Sequence, residues 1–218
     1  MQTYSHLLIA AAISIPLKQR AAVNLSAIPP FNTKAFLFGS ILPDLALILI
    51  TLVCLARDKF FNVFNSPSWN QHDSYSKASP ELLDISWTAS LFDDWFFNNP
   101  MVIILQNTFH SPLLLIILIS ISYILWKRKK TQHRLAWGFW ICCAALLHTV
   151  ADIPLHHDDG PLIFFPLDWS YRYSAPFSYW DSNHHGFGWS IFEYSVDFII
   201  IIFLFWHANI RHRVGKNL

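Results

Sequence analysis

Charge is scarce in this 218-residue chain. Asp, Glu, Lys and Arg make up 13% of it, against roughly 25% in an ordinary soluble domain. That shortage, set beside 54% apolar residues, excludes a soluble globular fold. Cysteine is sparse as well. Cys54, Cys142 and Cys143 are odd in number and show no CxxC spacing, so no disulfide framework is expected and the thiols read as buried in helices. The formal net charge is only +1, and the basic residues sit in short segments beside apolar runs, so no nucleic-acid partner is expected. Repeats and low-complexity tracts are absent.

Long apolar runs are abundant. A bilayer core about 30 Å thick needs roughly 20 residues of helix, and backbone polar groups there must be satisfied within the segment. Residues 35–56, 101–126, 135–153 and 190–210 meet that requirement. The first contains Asp44, the second has no charged residue, the third ends at Asp152, and the fourth begins with Glu193 and Asp197. Residues 1–17 carry HLLIAAAISI and no charged side chain before Lys18. They read as a fifth span or a re-entrant helix, not as a cleaved signal, which opens with positive charge. The expected fold is all-α: a polytopic transmembrane helical bundle with four strong spans plus an N-terminal span or re-entrant helix, in one membrane domain over 1–218.

Charge is also unevenly placed. Lys18, Arg20 and Lys34, then Lys127 to Lys130 with Arg134, then Arg211, Arg213 and Lys216, form three basic segments without an acid. Between them, residues 57–100 and 154–189 lean acidic. The positive-inside rule puts the basic segments in the cytoplasm and the acidic, aromatic connections outside. Trp87, Trp95, Phe96, Phe97, Trp169, Trp180 and Trp189 fit the headgroup level, with DDWFFNNP as an interfacial helix or anchored loop.

Ionisable groups inside spans are expensive unless paired or functional. His6, Asp44, His110, His148 and Asp152 all fall near one side of the expected topology. His148 and Asp152, four residues apart, share a helix face, as do Asn107 and His110. His156 would extend the His148 face by a turn, but Pro154 is expected to end it first. Glu193 and Asp197 are weaker candidates for the same patch, with the water boundary as their alternative place. Imidazoles with carboxylates are a zinc ligand set, although iron or manganese accepts the same atoms. His110, His148 and Asp152 are the expected direct ligands. His6 and Asp44 follow, as ligands, base or support. A metal-bound water would be acidified enough to attack an ester, amide or phosphodiester, with Asp44 or Asp152 taking its proton.

The connection after Asp152 reads IPLHHDDGPLIFFPLDWSYRYSAPF. It is aromatic and broken by proline, as expected of a lid over the polar patch. Arg172 is expected to meet an anionic group such as a lipid phosphate or to pair with Asp168. His184 and His185 are weaker candidates for the same patch.

Four short motifs now stand in order: SHLLIA at 5–10, GSILPDL at 39–45, FHSPLLL at 109–115 and LLHTVADIP at 146–154. Together with PLIFFPLDWSYRYSAP at 161–176, they resemble the YdjM-like family of bacterial inner-membrane proteins described as membrane-bound, metal-dependent hydrolases. The family's HRGxTHS run is LQNTFHS here, at 105–111, and Ala46 stands where a second Asp often follows the PD pair. The resemblance implies a divalent metal, with zinc foremost, held by His6, Asp44, His110, His148 and Asp152. It also implies metal-dependent hydrolysis at the inner membrane but supplies no substrate; an ester or phosphodiester of a lipid or another amphiphile is expected from the place of the polar patch, near headgroup depth at the outer face. Membrane lipid would be both surroundings and partner. Two other readings remain open at this stage: a transporter or proton-coupled component, and a structural membrane protein whose site is inactive.

Overall fold

The computed structural model describes residues 1–21, 28–70, 77–129, 133–179 and 181–216. Lys130 and Trp180, and the side chains of Arg20, Arg211, Arg213 and Lys216, lie outside the described residues. Regular structure among the described residues is helical, apart from one antiparallel bridge between Leu162 and Arg172. The long helices are α1 (Thr3–Ala21) and α2 (Thr33–Phe60). Short turns follow: α3 (Pro67–Asn70), α4 (Pro80–Ile85), α5 (Trp87–Ser90) and α6 (Phe96–Asn98). Then come α7 (Pro100–Asn107), α8 (Pro112–Arg128), α9 (His133–Asp152) and α10 (Gly186–Lys216). The chain divides into two compact units, residues 1–43 with 109–218, and residues 44–108. The division runs through α2, between Pro43 and Asp44.

Within the first unit, α8 packs on α9 and α1 packs on α10. The core is built on small residues. Ala10, Ala35 and Ala144 lie buried with Phe36 and Trp140, and Leu115 with Cys142 and Ala145. Small side chains let helix backbones approach where lipid provides no hydrophobic drive. Gly39 carries this furthest: a Cβ there would stand 2.8 Å from Ile141 Cα. The Trp140 indole donates to the Pro30 carbonyl at 3.0 Å. All three cysteines are free thiols.

Glu193 and Asp197, the weaker candidates, are both buried, not at the water boundary that was their alternative place. Glu193 accepts the Gln2 backbone N–H at 2.7 Å, and Asp197 accepts the Ser5 hydroxyl at 2.7 Å. One turn of α10 thus holds the start of α1, because buried carboxylates need donors and exposed backbone N–H groups supply them at a helix start.

The second unit is the remainder of α2 with the short helices. Its apolar clusters are Cys54, Leu91 and Val102, and Ala78, Leu82 and Ala89. Asp58 is fully buried and accepts from the Ser86 hydroxyl at 2.7 Å and from the Trp87 and Thr88 N–H groups at 3.0 and 2.9 Å. It closes the start of α5, whose N–H groups have no partner within the helix. The DDWFFNNP stretch is helical, a π turn at Leu91–Trp95 running into α6.

Among the described residues, three helices are long and apolar enough to cross a membrane: Thr33–Phe60, Arg134–Leu155 and Gly186–Ile210. The outward residues of α10, including Phe198, Phe205 and Trp206, are exposed apolar groups, as a lipid-facing surface requires. A fourth crossing exists only if α7 and α8 act together across the break between them. The expected continuous helix over 101–126 is therefore interrupted. Pro112 opens α8 with Ser111 as its N-cap; its ring clashes with the carbonyl four residues back and it has no N–H to give. α1 is a helix of 19 residues but is not among the candidate spans. His6 at one end and Lys18, Gln19 and Arg20 at the other leave too short an apolar stretch.

Candidate metal centre

α9 carries His148 and Asp152 one turn apart, and both are buried to 1% exposure. The carboxylate of Asp152 is the hub. Its Oδ2 lies 3.0 Å from His148 Nε2 and 3.2 Å from His110 Nε2. Its Oδ1 lies 2.9 Å from His6 Nε2 and accepts from the Met1 amino group at 2.9 Å. His6 stacks on His148 with ring centroids 3.6 Å apart and planes 18° from parallel, and His110 meets His148 edge-on at 5.1 Å. Ligand atoms of Asp44, His110, His148 and Asp152 all lie within 4.8 Å of one another. Asp44 belongs to the same continuous helix as Ser40 and follows Pro43 directly.

Local sequence explains each position. Gly39 lets α2 reach the α9 backbone, which brings the Ser40 carbonyl 2.7 Å from His148 Nδ1. His6 lies beside Ser5, whose bond to Asp197 holds the first turn of α1. His110 sits in the interruption before α8. Its neighbour Ser111 donates to the Phe165 carbonyl at 2.8 Å and accepts from the Leu114 N–H at 3.4 Å. One serine thus caps α8 and ties the aromatic connection down beside the centre. A small cavity lined by Ile9, Ser40, Ala144 and Ala151 opens beside His6 and His148.

The donor set fits a cation. A carbonyl only accepts, so the Ser40 contact puts the His148 proton on Nδ1. In a neutral ring Nε2 then turns a lone pair towards Asp152 Oδ2 at 3.0 Å, and in a protonated ring it donates a hydrogen bond there. Two electron-rich atoms that close repel in a dry interior unless positive charge lies between them. A proton on one imidazole or a divalent cation held by neutral rings supplies that charge, and the Met1 amino group already sets one positive charge on Asp152 Oδ1. Tetrahedral bonds of about 2.0–2.1 Å set ligand atoms about 3.3 Å apart, close to the 3.0–3.2 Å edges found here. The half-buried Asp44 and the buried His110, His148 and Asp152 can therefore hold a metal ion.

The structure brings all five expected site residues to one place, with roles that differ. Asp44, His110, His148 and Asp152 form the close group, while His6 touches Asp152 from the other oxygen. The proposed pairing of Asn107 with His110 on one helical face lapses, because the helix ends between them. His156 is the residue that sequence reasoning discounted. α9 ends at Asp152, ahead of Pro154 as expected, and a 3-10 turn, Ile153–Leu155, follows it directly. His156 Nε2 comes to 3.9 Å from Asp152 Oδ2, with Nδ1 2.9 Å from Asp159 Oδ1. The signal was the H-x-x-x-D-x-x-x-H spacing, since a proline near the start of a turn costs no hydrogen bond.

In the aromatic connection, Asp168 accepts from the Ser170 hydroxyl at 2.7 Å and the Ser170 N–H at 2.8 Å. These bonds, with the Tyr171 N–H, hold its pKa below the usual carboxylate value. Asp168 thus closes a local turn instead of the expected pair with Arg172. Arg172 donates to the Gly160 carbonyl. Burial lowers its pKa, and the charges of Asp159 and Asp158 oppose that shift. His184 turns towards His157 and Asp181.

Comparison with protein-family models, with curated proteins and with solved structures finds no match to this chain. The resemblance to membrane-bound hydrolases stands on the four motifs alone.

Proposed function

We propose that this chain is a membrane-embedded, metal-dependent hydrolase that cleaves an ester or phosphodiester of a lipid or similar amphiphile. One observation carries the reading: an imidazole nitrogen and a buried carboxylate oxygen face each other at 3.0 Å, with a second imidazole and a second carboxylate beside them. Asp44, His110, His148 and Asp152 would hold the ion, and zinc suits their nitrogen and oxygen atoms. Bound there, a divalent cation supplies an acidified water and polarises the bond to be cleaved.

The chain's own groups divide the remaining work. Asp152 uses both oxygens on its neighbours, so it is the anchor. Asp44, only half buried, is the better proton acceptor. The Ser40 carbonyl fixes the His148 tautomer, as outer partners of ligand imidazoles commonly do. His6 braces the His148 ring by stacking. Ser111 holds the aromatic connection beside the centre, where Phe164, Trp169 and Tyr171 offer exposed rings to an acyl chain or headgroup. The basic segments face the cytoplasm in this reading, with the centre near the opposite face of a bacterial inner membrane.

The test uses purified full-length protein in detergent. Wild type should carry about one zinc per chain, and His148→Ala should carry almost none. Turnover of lipid-like ester and phosphodiester substrates should disappear with chelator and return with zinc. Equal metal in both proteins would remove the centre. Metal without turnover on either substrate class would remove the hydrolase.

A further inference from the structure

Two buried acids take no part in the proposed chemistry. Glu193 and Asp197 stand one turn apart on α10, and both reach the first turn of α1. Glu193 Oε1 accepts the Gln2 N–H at 2.7 Å, and Asp197 Oδ2 accepts the Ser5 hydroxyl at 2.7 Å. The turn closes on itself where the Ser5 N–H donates to the Gln2 carbonyl at 2.9 Å. The first N–H groups of a helix have no partner within it, so acceptors from outside decide whether such a turn holds. Asp197 Oδ1 is buried and takes no donor among the described residues, so the bond on Oδ2 is what satisfies this carboxylate.

Ser5 and His6 are neighbours, and successive side chains on a helix point about 100° apart. Ser5 faces α10, while His6 faces α9. His6 Nε2 lies 2.9 Å from Asp152 Oδ1, and its ring stacks on His148 with centroids 3.6 Å apart. The Met1 amino group, at the start of the same turn, shares Oδ1 at 2.9 Å. One turn of α1 therefore stands between the α10 acids and the Asp152 carboxylate. Farther along, α1 is held by apolar packing instead: Ala10 is buried, and Ile13 and Leu17 pack against the same cluster. The polar clamp seats the first turn, and the apolar cluster seats the body of the helix.

We propose that Glu193 and Asp197 are positioning residues for the metal centre. By seating the first turn of α1 they hold His6 against Asp152 and His148, and so set how tightly and in what geometry an ion is bound. The inference rests on the metal centre proposed above and not on hydrolysis. With the turn released from α10, Asp152 loses a partner on Oδ1, and His148 loses the ring stacked on its face. Loss of outer partners of this kind weakens metal binding by about 10–100-fold.

The test strips purified full-length protein in detergent with chelator and titrates it with Co2+, whose visible absorption reports ligand geometry. Affinity for Zn2+ follows by competition. Asp197→Leu should lower both affinities by about 10–100-fold and shift the Co2+ spectrum. Asp197→Asn keeps an oxygen to accept from Ser5 and should restore both readouts. Glu193→Leu and Glu193→Gln should differ in the same way. Ser5→Ala, a milder change, carries the same prediction where Asp197→Leu fails to fold. Combining it with Asp197→Leu should lower affinity no further than Asp197→Leu alone, because both act through one bond. Leu17→Ala controls for general loosening of α1: it should lower the melting temperature and leave the spectrum unchanged. Wild-type affinity and spectrum in Asp197→Leu and Ser5→Ala would overturn the coupling and leave the centre standing. An Asp197→Asn variant no better than Asp197→Leu would do the same, as would an equal spectral change in Leu17→Ala. No Co2+ bound by wild type would remove the centre and the coupling with it. Absent turnover with these shifts in place would sink the hydrolase alone.

Discussion

Two carboxylates are buried to about the same depth in this molecule, and they are satisfied by opposite kinds of neighbour. Asp58, in the second unit, accepts from a serine hydroxyl and two backbone N–H groups, with Arg57 at 3.0 Å. Asp152, in the first, accepts from the Met1 amino group and otherwise faces the nitrogens of His6, His110 and His148. Hydroxyls, amides and guanidinium groups can only give hydrogen to a carboxylate. Imidazole nitrogens can offer a lone pair instead. Burial alone therefore does not mark a functional acid. The chemistry of the atoms around it separates a helix cap from a metal ligand.

That contrast can be broken at either end. The largest effect is expected from Asp152→Asn. It should weaken zinc binding by more than the 10–100-fold that loss of an outer partner costs, while helix content measured by circular dichroism stays near wild type. Adding zinc to stripped wild type should raise the melting temperature, because an ion that binds only the folded state stabilises it, and the same addition should leave Asp152→Asn unmoved. Asp58→Ala should behave in the opposite way. It orphans a hydroxyl and two N–H groups and should cost about 3 kcal/mol, seen in denaturant melts, with zinc stoichiometry unchanged. Loss of zinc from Asp58→Ala, or a large loss of stability from Asp152→Asn, would erase the distinction.

Smaller changes sharpen it. Gly39→Ala forces α2 away from Ile141 and should cost about 1–3 kcal/mol as overpacking. It should also weaken zinc binding, since the Ser40 carbonyl retreats from His148. His156→Gln should alter affinity by about threefold or less, because 3.9 Å from Asp152 Oδ2 is beyond hydrogen-bond reach. The smallest effect belongs to Asp168, an exposed acid held, like Asp58, by a serine hydroxyl and backbone N–H groups but without a guanidinium. Its folded pKa is depressed, so its contribution is present above the ordinary carboxylate range and is lost as pH falls through the depressed value. Protection of the 162–172 connection from protease should fall only on the acid side, and Asp168→Asn should flatten that dependence.

Much of the architecture was legible in order. Residues 35–56, 135–153 and 190–210 read as spans because apolar length leaves few alternatives in a bilayer, and helices cover them. The His148 and Asp152 pair was readable from helical spacing within one segment. The break before Pro112 was written in Ser111 and Pro112 but was outweighed by the unbroken apolar run around them. The end of α9 ahead of Pro154 was readable too, but the 3-10 turn that brings His156 back towards Asp152 was not. The burial of Glu193 and Asp197 was hidden because their partners, Gln2 and Ser5, are remote in sequence.

By itself, then, the amino-acid order determined the helical class, the main apolar segments and the identity of the groups able to bind a metal, for these follow from hydropathy, local spacing and side-chain chemistry. Only tertiary structure decided that the Ser40 carbonyl selects the tautomer of His148, that Asp152 stands at the hub, and that His157 stacks on His184. Those facts depend on contacts between segments far apart in the chain, where a shift of an ångström separates a ligand from a bystander and no local pattern records the distance.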